Sequence, residues 1–149
     1  MSSPDLEGFV LSQQYQLKAT LQSLQLTCQV IQDYYPDSQL WQHNRSQVQQ
    51  MLQFLENAIQ VYIQDFSPDP EKRIQFWEGC SLGKSHNRIL HPFQPPKPLV
   101  EVLKGNADPR NPLHQGLLVG YRFATLKRFL SRFELPEDMD IDLAAATFG

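Results

Sequence analysis

The sequence predicts an all-α protein: a helical bundle built on an antiparallel hairpin of two long helices, with two short helices and a long C-terminal helix. Three observations carry this. Apolar residues recur every seven positions in two long stretches separated by a short polar linker. Helix start signals, Asp or Asn followed by proline, stand before two further stretches. No run alternates apolar and polar residues over a useful length.

In the first stretch Val10, Leu17, Leu24 and Ile31 are spaced by seven, with Leu21, Cys28 and Tyr35 interleaved. Gln, Ser, Thr and Lys fill the other positions, so the spacing predicts one amphipathic helix over 6–34, stopped by Pro36. After the linker YYPDSQLWQHN, Asn44 or Ser46 is suited to cap a second helix. There Val48, Leu55 and Tyr62 repeat by seven, Leu52, Ile59 and Phe66 lie between, and Met51, Phe54, Ala58 and Val61 widen the apolar face. Two long amphipathic helices joined by a short loop fold back on each other.

Asp69-Pro70-Glu71 reads as the cap and first turn of a third helix, with Ile74 and Trp77 as its apolar edge and Gly79 as its stop. That makes it about two turns long. Residues 80–98 hold four prolines and Gly83, which reads as an extended connector. PLVEVLKG gives a second short helix, stopped by Gly105. Asn111 caps and Pro112 opens the last long helix, expected to reach about Phe133 and to face inward through Val119, Phe123, Leu126, Leu130 and Phe133. The sequence therefore reads as one helical domain over 1–135 and an acidic tail over 136–149 that lacks periodicity.

A chain of 149 residues with 41% hydrophobic and 19% charged residues suffices for a core without metal or disulfide. Cys28 and Cys80 form no C-x-x-C pair and read as reduced, packed thiols. The first residues, MSSPDLEGF, show neither a basic nor an apolar run, and no stretch has the length of a membrane span, so a cytoplasmic protein is expected.

The stretch WEGCSLGKSHNRILHP invites comparison with a phosphate-binding loop through Gly83-Lys84-Ser85. That loop needs a glycine five positions before the second one, to wrap phosphate in backbone N–H groups. Position 78 is Glu, and a helical segment precedes the stretch where a strand is required. Cys80, His86 and His91 are a conceivable ligand or nucleophile–base set, but their spacing matches no common metal site, and no G-x-S-x-G occurs. No cofactor and no metal are expected.

Charge layout is the more informative feature. The formal net charge of −3 divides unevenly. Residues 84–133 hold Lys84, Arg88, Lys97, Lys104, Arg110, Arg122, Lys127, Arg128 and Arg132 against only Glu101 and Asp108. Glu134, Glu137, Asp138, Asp140 and Asp142 make the end acidic. Such segregation speaks to partners rather than to fold. On the last helix, Arg128 and Arg132 share a side with Tyr121 and His114.

The expected function is thus a non-catalytic, cytoplasmic interaction or regulatory adaptor protein. Its basic residues, Lys84, Arg88, Tyr121, Arg122, Arg128 and Arg132 with their aromatic neighbour included, would dock an acidic protein surface or the chain's own acidic tail. Tyr34, Tyr35 and Trp41 at the hairpin tip are interface anchor candidates, with capping of the bundle end as the competing role. The regular seam of the first helix also suits a homodimer. A nucleic-acid-binding regulator using the same basic face is the alternative, weakened by the acidic total charge and by the lack of a recognition-helix motif.

Overall fold

Among the described residues every regular element is helical, in this computed structural model, which describes residues 4–88, 102, 105 and 107–135. The elements are α1 (Pro4–Tyr34), α2 (Gln39–Val61), a π-helical turn (Tyr62–Phe66), α3 (Pro70–Arg88) and α4 (Pro112–Leu130). The acidic tail and most of the expected short helix around PLVEVLKG lie outside the described residues.

The seven-residue rows do what their spacing predicts. In α1, Leu17, Leu24 and Ile31 are buried, as are Leu21 and Cys28 of the interleaved row. Thr20 and Thr27 are buried too, and each hydroxyl donates to the carbonyl one turn earlier, Gln16 at 2.7 Å and Ser23 at 2.8 Å. In α2, Val48, Leu55 and Ile59 are buried. This helix starts earlier than Asn44. Ser38 Oγ accepts the N–H of Trp41 at 3.3 Å, while Asn44 sits inside the helix and donates to Leu40 O at 2.8 Å. The linker therefore shrinks to residues 35–38.

The end of α2 widens. The N–H of Ser67 bonds Tyr62 O at 2.7 Å, a five-residue closure in place of four. Both Tyr62 and Phe66 are buried by it. Asp69 then caps α3 as expected, accepting the N–H of Glu71 at 3.0 Å. Arg73 reaches back from the first turn to Ser67 O at 2.8 Å.

Helix α3 corrects the sequence reading. It spans 19 residues and runs through both Gly79 and Gly83, which are neither a stop nor a turn. Its buried edge is Phe76, Cys80 and Asn87, whereas Ile74 is 56% exposed. Helix α4 begins as expected, with Asn111 Oδ1 accepting the N–H of His114 at 3.2 Å. Its whole turn and a half from Gln115 to Gly120 is buried, so it is enclosed on every side there. It ends at Leu130, where three-residue closures from Arg132 to Phe129 and from Phe133 to Leu130 tighten the chain.

The chain divides into two compact units, Met1–Glu56 with Leu126–Gly149, and Asn57–Thr125. The divisions fall inside α2 and inside α4. The first unit buries the α1 rows with Trp41, Val48, Leu55, Leu126 and Leu130; the second buries Tyr62, Phe66, Phe76, Cys80, Leu117, Val119 and Phe123. No helix of the described residues is long and apolar enough to cross a membrane.

Candidate functional site

The stretch resembling a phosphate loop has a packing role. Gly79 and Gly83 on α3 face Gly116 and Gly120 on α4. A Cβ on Gly79 would strike Leu113 O, and one on Gly83 would strike Leu117 O. Reciprocally, a Cβ on Gly116 would strike Phe76 O, and one on Gly120 would strike Cys80 O. Two G-x-x-x-G segments, GCSLG and GLLVG, thus let two helix backbones touch where side chains would hold them apart. Lys84 and Ser85 lie on a continuous helix, so no wrapping loop of N–H groups exists there.

The other candidate chemistry is also absorbed by packing. Cys80 is 1% exposed, and burial raises its thiol well above the ordinary range. Burial likewise pushes the Cys28 thiol up to about 12. Both are free cysteines and neither is poised as a thiolate. His86 is half-buried on α3; His91 lies outside the described residues. Among the described residues no three His, Cys, Asp or Glu side chains gather as metal ligands would.

Around the π turn, aromatic rings stack in the second unit. Tyr62 and Phe76 have centroids 4.4 Å apart, and Trp77 meets both edge-on at 6.0 and 5.8 Å. Trp77 Nε1 donates to the Tyr62 hydroxyl at 2.8 Å. Burial raises the Tyr62 phenol, an effect its bonds with Trp77 and Ser67 and the charge of Arg73 reduce. Near the end of α3, buried Asn87 donates to Tyr121 O at 3.1 Å and Thr125 Oγ1 at 2.6 Å.

The basic candidates fall in two places. Lys84, Tyr121 and Arg122 belong to the second unit, and all three are partly buried. Burial lowers the Arg122 guanidinium from its ordinary value, a mark of a side chain committed to the protein body. Lys84 and Arg88 stand on α3 rather than in a loop. Arg128 and Arg132 belong to the first unit and are exposed.

Ring contacts link Phe129 and Phe133, which neighbour those two arginines in sequence, to the aromatics of the α1–α2 link. The Tyr35 hydroxyl donates to Glu134 O at 2.5 Å. The Phe133 ring lies 5.7 Å from Tyr35, 6.2 Å from Trp41 and 5.6 Å from Phe129. Trp41 is 3% exposed and its indole N–H donates to Gln32 Oε1. Trp41 and Tyr35 therefore meet residues 133–134 at the α1–α2 link, a packing of the kind expected of the capping role that competes with interface anchoring. Tyr34 alone of the three is open, at 63% exposure.

The result is one corner of the first unit: exposed Arg128 and Arg132, half-buried Lys127 and Phe129, and Phe133 in ring contact with Tyr35 and Trp41. Phe129 and Phe133 were the missing link, for which the i, i+4 aromatic pair at the end of the last helix was the available signal. No protein-family model matches this chain, and no curated protein and no solved structure shows significant similarity to it.

Proposed function

We propose that the protein is a non-catalytic interaction module, an adaptor or regulator, that docks an acidic surface of another protein through the basic corner at the end of α4. On this reading α1 and α2 form an antiparallel hairpin scaffold, and the protein works in the cytoplasm. The observation that carries it is the pair Arg128 and Arg132: both exposed, four residues apart, at the end of a stretch with no acidic residue between Asp108 and Glu134. The ring contacts of Phe133 with Tyr35 and Trp41 support the reading, because a charge carried on an ordered segment loses less entropy on pairing than one on a loose end. Lys84, Tyr121 and Arg122 belong to the other unit and are partly buried, so the reading is stated without them.

The test is fluorescence polarisation with labelled polyglutamate at low salt. Exposed ion pairs contribute up to about 1 kcal/mol each, so replacing both arginines by glutamate weakens binding by about tenfold. Raising the salt weakens the unaltered protein in the same direction. Unchanged binding after the double replacement refutes this docking surface. The nucleic-acid reading uses the same acid-free stretch and predicts a steep loss of DNA affinity with salt. A gel-shift titration without a complex at low salt removes it.

A further inference from the structure

We infer that the outer face of α1 pairs with the same face of a second copy of this chain, antiparallel, in a two-fold dimer. The inference is independent of the docking reading above and uses none of its residues.

The rows with seven-residue spacing are spent inside the chain, where Leu17, Leu24 and Ile31 are buried. A different row runs along the open side of the helix: Tyr15, Lys18, Gln22, Leu26, Gln29 and Asp33, all exposed. Tyr15 and Leu26, Lys18 and Gln29, and Gln22 and Asp33 are each eleven positions apart. Eleven residues make close to three turns, so the row keeps to one face for its whole length. Two of its members hold much of a large apolar side chain in solvent, Tyr15 at 73% and Leu26 at 54% exposure.

Charge decides what covers this face. Between Gly8 and Pro36 the chain has two charged residues, Lys18 and Asp33, and both stand in the row. The row carries no net charge, so a strongly acidic or basic partner gains nothing from it. A second copy does gain. A two-fold axis lays the same surface on itself with its ends exchanged, and each charge then meets its opposite.

The register that sets Lys18 opposite the second copy's Asp33 places the axis between Gln25 and Leu26. The two Leu26 side chains then meet beside the axis, Gln22 faces Gln29 with amides that exchange hydrogen bonds, and Tyr15 reaches exposed Pro36. Asp33 already accepts a hydrogen bond from Gln29 Nε2 at 3.0 Å, which orients the carboxylate and leaves acceptor positions for the lysine. A parallel pair in register sets Lys18 against Lys18 and Asp33 against Asp33. An antiparallel pair centred on Gln22 sets Lys18 against Leu26 and Asp33 against Leu11. Neither satisfies the charges. One helix face per copy is a small interface, so association in the micromolar range is expected.

The test is sedimentation equilibrium of the full chain from about 5 to about 500 μM, a range that spans such an affinity. The unaltered chain passes from monomer to dimer across it. K18D and D33K each replace both ion pairs by like charges and weaken the dimer by about tenfold. Both positions are exposed, and circular dichroism checks that the helices remain. An equimolar mixture of the two altered chains regains the unaltered affinity, because each supplies the charge that the other lacks. L26C, beside the axis, forms a disulfide-linked dimer under mild oxidation, and Q49C, exposed on α2, does not. A chain that stays monomeric throughout, or a mixture that associates no better than its components, overturns the pairing. Either result leaves the Arg128–Arg132 docking surface standing, since the polyglutamate assay reads other residues.

Discussion

Replacing Gly120 by alanine adds one methyl group to a helix, a change that ordinarily stabilises it by about 0.8–1.0 kcal/mol. Here the sign reverses. The new Cβ would lie 2.8 Å from both the Cα and the carbonyl carbon of Cys80, in addition to striking its oxygen. Carbon atoms rest at about 3.5–4.0 Å, so α3 has to retreat by roughly 1 Å. These are backbone atoms of a packed helix, so no side chain can swing aside. Overpacking of this kind costs about 1–3 kcal/mol, occasionally more, and a retreat of this size also forfeits a quarter to a half of each contact along the seam. Net of the propensity gain, Gly120→Ala is expected to destabilise by up to about 2 kcal/mol, lowering Tm by up to roughly 6 °C for a chain of this size. Two internal controls sharpen the comparison. Gly8, inside α1, has no atom within 4 Å of its added Cβ, so Gly8→Ala gains about 0.5–1 kcal/mol. Gly105 has equally open space but φ +88°, so Gly105→Ala loses about 1–2 kcal/mol through backbone strain alone. Thermal and urea unfolding followed by circular dichroism reads all three. A Gly120→Ala protein that is stabilised alongside Gly8→Ala would refute the close approach of α3 and α4.

Three further outcomes are expected. The Cys28 thiol rises from 9.0 to about 12 on folding, so the unfolded chain ionises first: stability is full below about pH 9 and falls by about 1.4 kcal/mol per pH unit as pH climbs from there toward 12. Urea titrations at pH 8, 9 and 10 check the slope, which Cys80 steepens in the same direction; a flat profile argues against burial of the thiols. Asn87→Leu removes two buried hydrogen bonds to α4 and should cost about 1–3 kcal/mol by the same denaturation assay, whereas no loss would mean that those bonds are not formed. Tyr35→Phe removes the bond to Glu134 O, at a cost of about 0.5–1.5 kcal/mol, and should speed hydrogen exchange at residues 133–135; unchanged exchange would show that the phenol does not hold the segment after α4.

Much of the helical pattern was legible because it is local. The rows of α1 and α2 are written in their own spacing, and Asp69-Pro70 and Asn111-Pro112 satisfy orphan N–H groups from adjacent positions. What could not be read locally was decided by distant residues. Gly79 carries the same weight as any helix stop until GLLVG, 37 positions later, is laid against it. Ser38 outcompetes Asn44 as a cap because Trp41 is drawn into the fold, where it meets Phe133. Ile74 and Trp77 looked like the inner edge of α3, but Tyr62 engages Phe76 together with Trp77 and Ile74 stays exposed, and the π turn that presents Tyr62 has no signature of its own. For the candidate site, charge segregation was visible and its division was not. Which of six residues face solvent depends on burial at Lys84, Tyr121 and Arg122, and burial is a property of the packed helices.

The two tryptophans fall one to each compact unit, Trp41 to the first and Trp77 to the second. Each has its own quenching environment, Trp41 beside the Gln32 amide and Phe133, and Trp77 beside the Tyr62 phenol. The protein is therefore wired with a separate optical reporter for each half. Chains carrying Trp41→Phe or Trp77→Phe turn ordinary fluorescence into two independent melting curves. Their coincidence or separation measures directly whether the helices shared by the two units, α2 and α4, bind them into a single cooperative transition.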